Sequence, residues 1–238
     1  MKKVFILSLV LALFSQVTAI AQEFNGRLFM SDVFRIEEHI KRQNFGIDFK
    51  DTDSYKGTPY NHPSFLNGNI YKGSELLATN VAIRYNAMAD EIEVKESLAS
   101  SDDDAKVLTK DPDIYVKIVN DIFVFVAYQG GIEGGGYFKV MQEGNKYDLF
   151  KKLAKEFVPE KEASSSITTA VPAKFVDKPI YYIVTKDGKF YELPKSRSKK
   201  LKVFGPNKDL IKKYVSSNGL DLNDEKDLQK VIKYYDTI

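Results

Sequence analysis

The chain has 238 residues and contains no cysteine. The lack of cysteine excludes disulfides, thiol catalysis and iron–sulfur clusters. Lys2 and Lys3 account for the whole formal net charge of +2, so the rest of the chain carries equal numbers of acidic and basic residues. A neutral protein has no overall electrostatic attraction for nucleic acid or anionic lipid, and we expect no nucleic-acid partner.

Residues 1–21 have the pattern of a removable signal peptide. Two lysines precede an apolar run at residues 4–14, and residues 19–21 supply the small side chains that signal peptidase requires. The apolar run is too short to span a membrane, which takes roughly 20 helical residues. The sequence therefore predicts an exported mature chain, periplasmic or secreted, that begins at Gln22 and has no transmembrane segment.

Residues 22–55 form an N-terminal segment that is polar and largely irregular. Within it, residues 31–42 predict one short amphipathic helix, because apolar residues recur there among charged ones. Ser31 or Asp32 would cap that helix. Its apolar side chains are Val33, Phe34, Ile36 and Ile40.

From about residue 56 the apolar residues alternate, which is typical of strands with one buried face. Residues 81–85 and 92–94 predict a hairpin with a loop at residues 86–90. Residues 113–120 and 121–129 predict a second hairpin that turns at Asn120 and Asp121. The second strand of this hairpin is apolar on both faces, so we expect it in the centre of the sheet.

Further turns divide the rest of this region. Residues 137–141 and 146–153 flank a turn at residues 142–145, although residues 149, 153 and 157 also match a helical stripe. A connector rich in serine, threonine and alanine follows at residues 160–173. Residues 180–185 and 189–193 bracket Asp187 and Gly188, which predict a type I′ hairpin.

Residues 196–238 return to a helical period and predict three short helices packed on the sheet. Gly205-Pro206 would end the first, and Asn207 and Asn223 stand where caps of the next two belong. The predicted fold is α+β and mainly β. It consists of an antiparallel β-meander at residues 56–195, as a twisted sheet or partial barrel, followed by the three C-terminal helices.

Two motifs in the predicted sheet have a possible chemical use. Residues 130–136 are rich in glycine, as phosphate-binding loops are, but they join two strands and lack the lysine and hydroxyl residue of a nucleotide loop. Glu91 and Glu93 lie on one side of their strand, as the acid pair of a glycosidase does. We interpret the first as a hairpin connection and the second as the solvent face of a half-buried strand.

Candidate metal ligands are few. Residues 101–104 are acidic, and residues 221–225 lie between two predicted helices but lack the glycine and the final glutamate of an EF-hand. His39 and His62 are the only histidines, too few for a histidine-based zinc site. We interpret these residues as a solvated turn, a helix cap and surface histidines, and we expect no metal, no cofactor and no catalytic residue.

Two further surface features have ordinary explanations. The basic stretch at residues 195–213 would suit lipid head groups or acidic glycans, but solvated helix faces account for most such runs. The tyrosine pairs at residues 181–182 and 234–235 would suit a sugar platform, but packing at the edge of the core is the more common use.

Several segments together resemble a group of exported Bacteroidota proteins of unknown function. The similar residues are Gly57-Thr58-Pro59-Tyr60-Asn61, Phe65, Gly68, Tyr71, Arg84-Tyr85-Asn86, Asp90-Glu91-Ile92-Glu93, Gly136-Tyr137-Phe138, Glu143-Gly144, Tyr182, Asn218-Gly219-Leu220, Asp227-Leu228 and Tyr234-Tyr235. The resemblance covers residues 56–238. It implies a location in the cell envelope and no established reaction, so it assigns no catalytic residue.

The sequence favours a noncatalytic envelope protein that binds another macromolecule or supports an assembly. Two alternatives stay open. A curved meander with apolar residues on both faces is able to enclose an apolar ligand or lipid and to carry it in the periplasm. Scattered carboxylates are also compatible with a hydrolase of glycan or peptide, which would require an acid pair in a cleft with shifted pKa values.

Overall fold

A computed structural model describes residues 55–127, 135–163 and 169–238 of the chain. The predicted signal peptide and the predicted helix at residues 31–42 lie outside these ranges. The strands, in chain order, are β1 (Tyr55–Lys56), β2 (Leu66–Lys72), β3 (Glu75–Asn86), β4 (Glu91–Lys95), β5 (Lys106–Val107), β6 (Ile114–Ile118), β7 (Asp121–Val126), β8 (Gly136–Gln142), β9 (Tyr147–Lys152), β10 (Lys155–Val158), β11 (Ala173–Asp177), β12 (Ile180–Thr185) and β13 (Phe190–Leu193).

Ten of these strands form one large antiparallel sheet in the order β13-β12-β9-β8-β7-β6-β2-β3-β4-β5. The sheet is open, with β13 and β5 at its edges. The predicted β3–β4 hairpin is confirmed, with Tyr85 opposite Ile92. The region that also matched a helix forms the two strands β9 and β10. The predicted mainly-β antiparallel fold is therefore correct.

The sheet departs from a simple meander in two places. First, the chain leaves β5 at one edge and returns to the inner side of β2, where β6 places Val116 opposite Ile70. Second, β10 and β11 are inserted between β9 and β12 and pair with each other instead of joining the large sheet. Alternation within single strands carries no information on either connection.

We call β1, β10 and β11 the arm, because this three-stranded sheet continues the β9 and β12 strands beyond the large sheet. Phe157 lies opposite Phe175 in the arm, and the Tyr55 ring meets the Phe175 ring edge-on at 5.2 Å between centroids. Met88, from the β3–β4 loop, packs against this cluster. The sequence reading missed both long arm strands and treated residues 160–173 as a connector.

Three helices follow the sheet, as predicted: α1 (Arg197–Val203), α2 (Lys208–Ser217) and α3 (Glu225–Tyr235). Their buried side chains form one cluster with Leu149, Ile183 and Leu193 of β9, β12 and β13. Leu149 and Ile183 are cross-strand partners and share one face of the sheet. The helices therefore cover that face, which we call the helix face. None of the described helices is long and apolar enough to cross a membrane.

The helix boundaries differ in detail from the sequence reading. Gly205 has φ +53° and follows α1, as the predicted stop requires. Asn207 occupies the N-cap of α2 but makes no side-chain capping bond. Asp224, not Asn223, caps α3 by accepting the Asp227 N–H at 3.0 Å. Asn223 instead accepts a hydrogen bond from Lys200.

The strand β7 lies in the middle of the large sheet and is apolar on both faces, as predicted. Its Phe123 joins the core formed by β2, β3, β4, β6 and β8. Its Val124 lies opposite Phe138 on the other face, the face away from the helices. That face carries a second cluster in which Phe138 is fully buried against the rings of Phe150, Tyr182 and Phe190.

Two hairpin turns differ from the prediction. Ile118 pairs with Asp121, so the β6–β7 turn consists of Val119 and Asn120. Gly188 alone has a positive φ in the β12–β13 loop, and Thr185 N–H donates to the Lys189 carbonyl. The loop is therefore a three-residue connection that ends in a left-handed glycine, not a type I′ turn.

The C-terminal end of α3 is fastened to the β8–β9 turn by a single carboxylate. Asp236 accepts hydrogen bonds from the backbone N–H groups of Asn145, Lys146 and Tyr147. The Tyr147 ring also stacks on Tyr235 at 4.2 Å between centroids. These contacts hold the last helix on the sheet.

This attachment predicts an acid-dependent stability. The hydrogen bond from the Asn145 amide is the largest cause that lowers the pKa of Asp236 below its ordinary value of 3.8; burial opposes it, and the Lys146 and Tyr147 amides add to the lowering. The resulting stabilisation is complete above that ordinary value and is lost as the pH falls through the lowered one. Asp236→Asn should therefore destabilise the protein by roughly 1 kcal/mol at pH 7, a value reduced by solvent exposure.

Thermal unfolding measured from pH 7 to pH 2 checks this prediction. The melting-temperature difference between wild type and Asp236→Asn should shrink as the solution becomes acidic. Glu143→Gln, an exposed change in the same turn, serves as the control and should follow wild type. A difference that stays constant with pH would contradict the attachment.

Candidate functional site

A cavity of about 260 Å³ opens at the end of the large sheet where β6 turns into β7. We call it the turn pocket. It combines apolar side chains of four neighbouring strands with polar residues of two loops. Its lining residues are Asn61, His62, Ser64, Leu66, Ile83, Arg84, Tyr85, Ile118, Val119, Asn120, Asp121 and Phe123.

The floor of the turn pocket is apolar because four adjacent strands direct alternate residues to the helix face. Leu66 lies opposite Ile83 on β2 and β3. Ile118 of β6 lies opposite Gly68 of β2. A methyl group at Gly68 would come within 2.8 Å of the Ile83 side chain and still closer to the backbone of β6. The glycine thus allows β2 and β6 to approach and brings Ile83 and Ile118 together beneath the opening.

One side of the rim is a loop that Arg84 holds in place. The Arg84 guanidinium lies 3.7 Å from the Tyr60 ring centroid and 4.1 Å from that of Phe65, and it donates to the Pro63 carbonyl at 3.2 Å. Cation–π stacking and hydrogen bonding of this kind hold the loop in one conformation. Asn61 N–H donates to the Tyr85 carbonyl at 2.9 Å. This side of the rim is therefore preformed.

The charges around the turn pocket are already paired. Asp121 lies 2.8 Å from Lys139. Arg84 lies 2.7 Å from Glu93, and both side chains are almost fully buried. His62 accepts the Ser64 amide N–H at its Nδ1, 3.2 Å away. The rim thus offers hydrogen-bonding groups around an apolar floor and carries no uncompensated carboxylate or guanidinium among these residues.

The opposite side of the rim contains a strained residue. Val119 has φ +54° and is 57% exposed. A β-branched residue in this region is unusual, because its side chain crowds the backbone at a cost of about 1–3 kcal/mol. A side chain that is more than half exposed gains little from core packing. Strain of this kind concentrates at binding and catalytic sites.

A second cavity of about 220 Å³ lies between the β3–β4 loop and the base of the arm. Its charged residues are paired: Lys155 contacts Asp177 at 2.8 Å, and Lys151 contacts Glu225 of α3. Burial acts to raise the pKa of Glu225, but hydrogen bonds from Lys151 and Tyr181 outweigh it and the pKa is lowered. The Lys155–Asp177 pair joins two strands of the arm, and the Glu225 contacts attach α3 to the large sheet.

Asp90, in the β3–β4 loop, is the centre of a largely buried polar cluster. Its carboxylate accepts the Tyr85 hydroxyl at 2.7 Å, the Tyr137 amide at 3.1 Å and the Lys152 ammonium at 2.7 Å. Burial raises the pKa values of both tyrosines and lowers that of Lys152, while the Asp90 charge opposes the change in the lysine. Gly136 makes room for the pair, because a Cβ there would collide with both side chains.

The Asp90 cluster is a structural joint. It connects the β3–β4 loop to β8 and β9. In the large sheet, β7, β6 and β2 lie between β8 and β3. The Tyr85 hydroxyl, the Tyr137 amide and the Lys152 ammonium all donate to the Asp90 carboxylate. A general acid or base has to lie within hydrogen-bonding distance of the substrate group with which it exchanges a proton. Neither of the two cavities described above has Asp90 or Lys152 in its lining.

The glycine-rich motif lies only partly within the described residues. Residues 130–134 are outside them. Gly135 and Gly136 have positive φ angles and lead into β8. Their roles in the structure are the entry to a strand and the space for the Asp90 pair.

The acid pair was interpreted incorrectly as a solvent-exposed strand face. Glu93 is 5% exposed, and its Oε2 accepts hydrogen bonds from Nε and Nη2 of Arg84. Glu91 precedes it by two residues on β4, opposite Asn86. Arg84 neutralises the buried Glu93 carboxylate, which would have to act as one member of a catalytic pair.

The two acidic segments have the structural roles that we expected. Asp102 begins a 3₁₀ turn at Asp102–Asp104 and bonds Lys95 at 2.7 Å. In the second segment, Asp221 accepts the Asn223 amide, and Asp224 caps α3. The described residues contain no group of three or more acidic or histidine side chains arranged to hold a metal ion.

The basic stretch and the tyrosine pairs also lie where ordinary packing places them. Lys200 is buried and donates to the Leu222 carbonyl at 2.8 Å, so it joins α1 to the loop before α3. Tyr182 belongs to the aromatic cluster around Phe138. Tyr234 stacks on Tyr214 at 4.0 Å between centroids. His62 is exposed on the rim of the turn pocket, and His39 lies outside the described residues.

Sequence reasoning did not identify the turn pocket. Its residues come from four strands and two loops, and their proximity depends on the return of β6 to β2. A sequence signal near the pocket was the β6–β7 turn, but the prediction placed this turn at Asn120 and Asp121, one residue too late. No protein-family model, curated protein or solved structure matches the chain.

Proposed function

We propose that this chain is a noncatalytic, exported envelope protein that binds another macromolecule through the turn pocket. The observation that carries the proposal is an apolar cavity with a preformed polar rim and an exposed, strained valine at its edge. Contacts of this kind, in which an apolar pocket is surrounded by polar groups, supply most of the energy at protein interfaces. Export rests on the signal-peptide pattern of residues 1–21.

Two features support binding in preference to hydrolysis. The buried carboxylates Asp90 and Glu93 are each paired with a cation, and Glu225 bonds a lysine and a tyrosine that attach a helix. The turn pocket has one carboxylate on its rim, Asp121, and Lys139 compensates it. The apolar floor also suits the alternative of an apolar-ligand carrier, but about 260 Å³ is below the volume of most drug-sized ligand sites.

Site-specific photocrosslinking in the native cells tests this function. A photoreactive amino acid at Asn120, on the pocket rim, should form a discrete crosslinked product. The same amino acid at Leu210 serves as the control, because Leu210 is 50% exposed on α2 and does not line the pocket. Crosslinking of one species from Asn120 but not from Leu210 is expected. No product from Asn120, or equal products from both positions, would remove the proposal.

A further inference from the structure

We infer that the turn pocket receives an uncharged aliphatic or aromatic side chain of a polypeptide partner, and that Val119 is one of the residues that contacts it. This inference rests on the proposed function and specifies the chemistry of the partner.

The size of the pocket limits the occupant. A volume of about 260 Å³ is less than the roughly 300–1,000 Å³ of pockets that enclose drug-sized ligands. A single large side chain inserted from a partner surface requires less space. Protein interfaces place such anchor side chains in pockets with polar surroundings that exclude water.

The charge of the pocket limits it further. Asp121 is paired with Lys139, and Arg84 with Glu93. An anionic head group or an acidic sugar would meet no available cation among these residues, and burial of an unpaired charge is unfavourable. Leu66, Ile83, Ile118 and Phe123 form the floor. The complementary occupant is therefore apolar and uncharged.

Val119 supplies the third argument. Its positive φ carries a steric cost that glycine would avoid, and its side chain is 57% exposed at the rim. The side chain therefore contributes little to the folded monomer. Val119 lines the same pocket as Ile118 and Phe123, so its side chain offers an inserted side chain a further apolar surface.

The test uses N-acetyl-leucine amide and N-acetyl-phenylalanine amide as probes and N-acetyl-alanine amide as the matched control. Methyl NMR signals of Ile83 and Ile118 report occupancy of the pocket, and those of Ile211 and Val231 in the helical cluster report non-specific effects. The leucine and phenylalanine probes should shift the pocket methyls at millimolar concentration and compete with each other. The alanine probe should bind much more weakly, because it buries less apolar area.

Val119→Gly should have opposite effects on binding and stability. Loss of the isopropyl group should weaken probe binding about fivefold, while relief of the backbone strain should raise the melting temperature by about 2–4 °C. Val119→Thr retains the branched shape and the strain, so it should weaken binding with little change in melting temperature. Asn80→Gly is the backbone control, because Asn80 also has φ +54° but does not line the pocket.

Three results would overturn the inference. The first is the absence of pocket shifts with either amide, and the second is unchanged binding by Val119→Gly and Val119→Thr. The third is occupancy by octanoate but not by the amides, which would identify an acyl-chain carrier. If the amide probes do not bind but Asn120 still crosslinks, only the inference that the partner inserts an apolar side chain is removed. If the amides bind but the Asn120 crosslink is absent, the proposed function is removed.

Discussion

Asp90→Asn should lower the free energy of unfolding by about 3 kcal/mol, because it leaves the Lys152 ammonium without its carboxylate partner in a mostly buried position. The Lys152 and Asp90 side chains are only 17% and 22% exposed. Asparagine has nearly the same shape and tolerates the left-handed backbone of residue 90, which has φ +56°. The effect therefore isolates the charge. Urea unfolding at pH 7 measures it.

A double-mutant cycle with Lys152→Met provides the control for this prediction. If the two charges stabilise each other, the second change should cost much less in the Asp90→Asn background than in wild type. A loss below about 0.5 kcal/mol for Asp90→Asn would show that the cluster is not a structural joint. Unchanged stability together with loss of a hydrolytic activity would favour the carboxylate-dependent hydrolase instead.

Phe138→Ala should destabilise the protein by about 3–5 kcal/mol, the range for removal of a buried aromatic ring. Phe138 is fully buried, with the Tyr182 and Phe190 rings at 5.6 and 5.3 Å between centroids. Calorimetry should show a fall in melting temperature of roughly 10 °C, since each kcal/mol shifts a domain of this size by about 2–4 °C.

Tyr191→Ala, on the edge strand β13, is the matched control, because Tyr191 is 45% exposed. Its cost should stay within about 0.5 kcal/mol. Equal effects of the two changes would mean that the cluster on the face away from the helices is not a second core.

The elements that sequence reasoning predicted best are those fixed by local pattern. Alternation identified the β3–β4 and β6–β7 hairpins, and a stripe of apolar residues identified α3, whose Leu228, Val231 and Ile232 are all buried. One-residue errors arose at turns and caps. Val119 occupies a position for which Asn120 is better suited by its side chain, so propensity placed the turn one residue too late.

The missed elements depend on contacts between distant residues. Phe157 and Phe175 lie 5.2 Å apart in the arm, but neither strand shows enough alternation to be identified alone. Glu93 was assigned to solvent because its neighbours Ile92 and Val94 are apolar, whereas all three are buried. Arg84 and the loop that contains Phe65 cover this side of β4, and the register that brings them there is not visible in the sequence.

The turn pocket is a consequence of the same long-range order. Its floor exists because β6 returns to β2, and its rim because Arg84 holds the loop at residues 60–65. The sequence supplied every residue of the pocket and gave no reason to group them. The predicted class, a noncatalytic binding protein, followed instead from the weakness of each catalytic motif.

We propose that this protein binds its partner through the turn pocket. The most direct measurement is the ratio of photocrosslinked product from Asn120 to that from Leu210, in cells that express each variant at the wild-type level. We expect a single dominant product and a ratio far above one. A ratio near one, or no product from Asn120 in a folded and correctly exported variant, would contradict it.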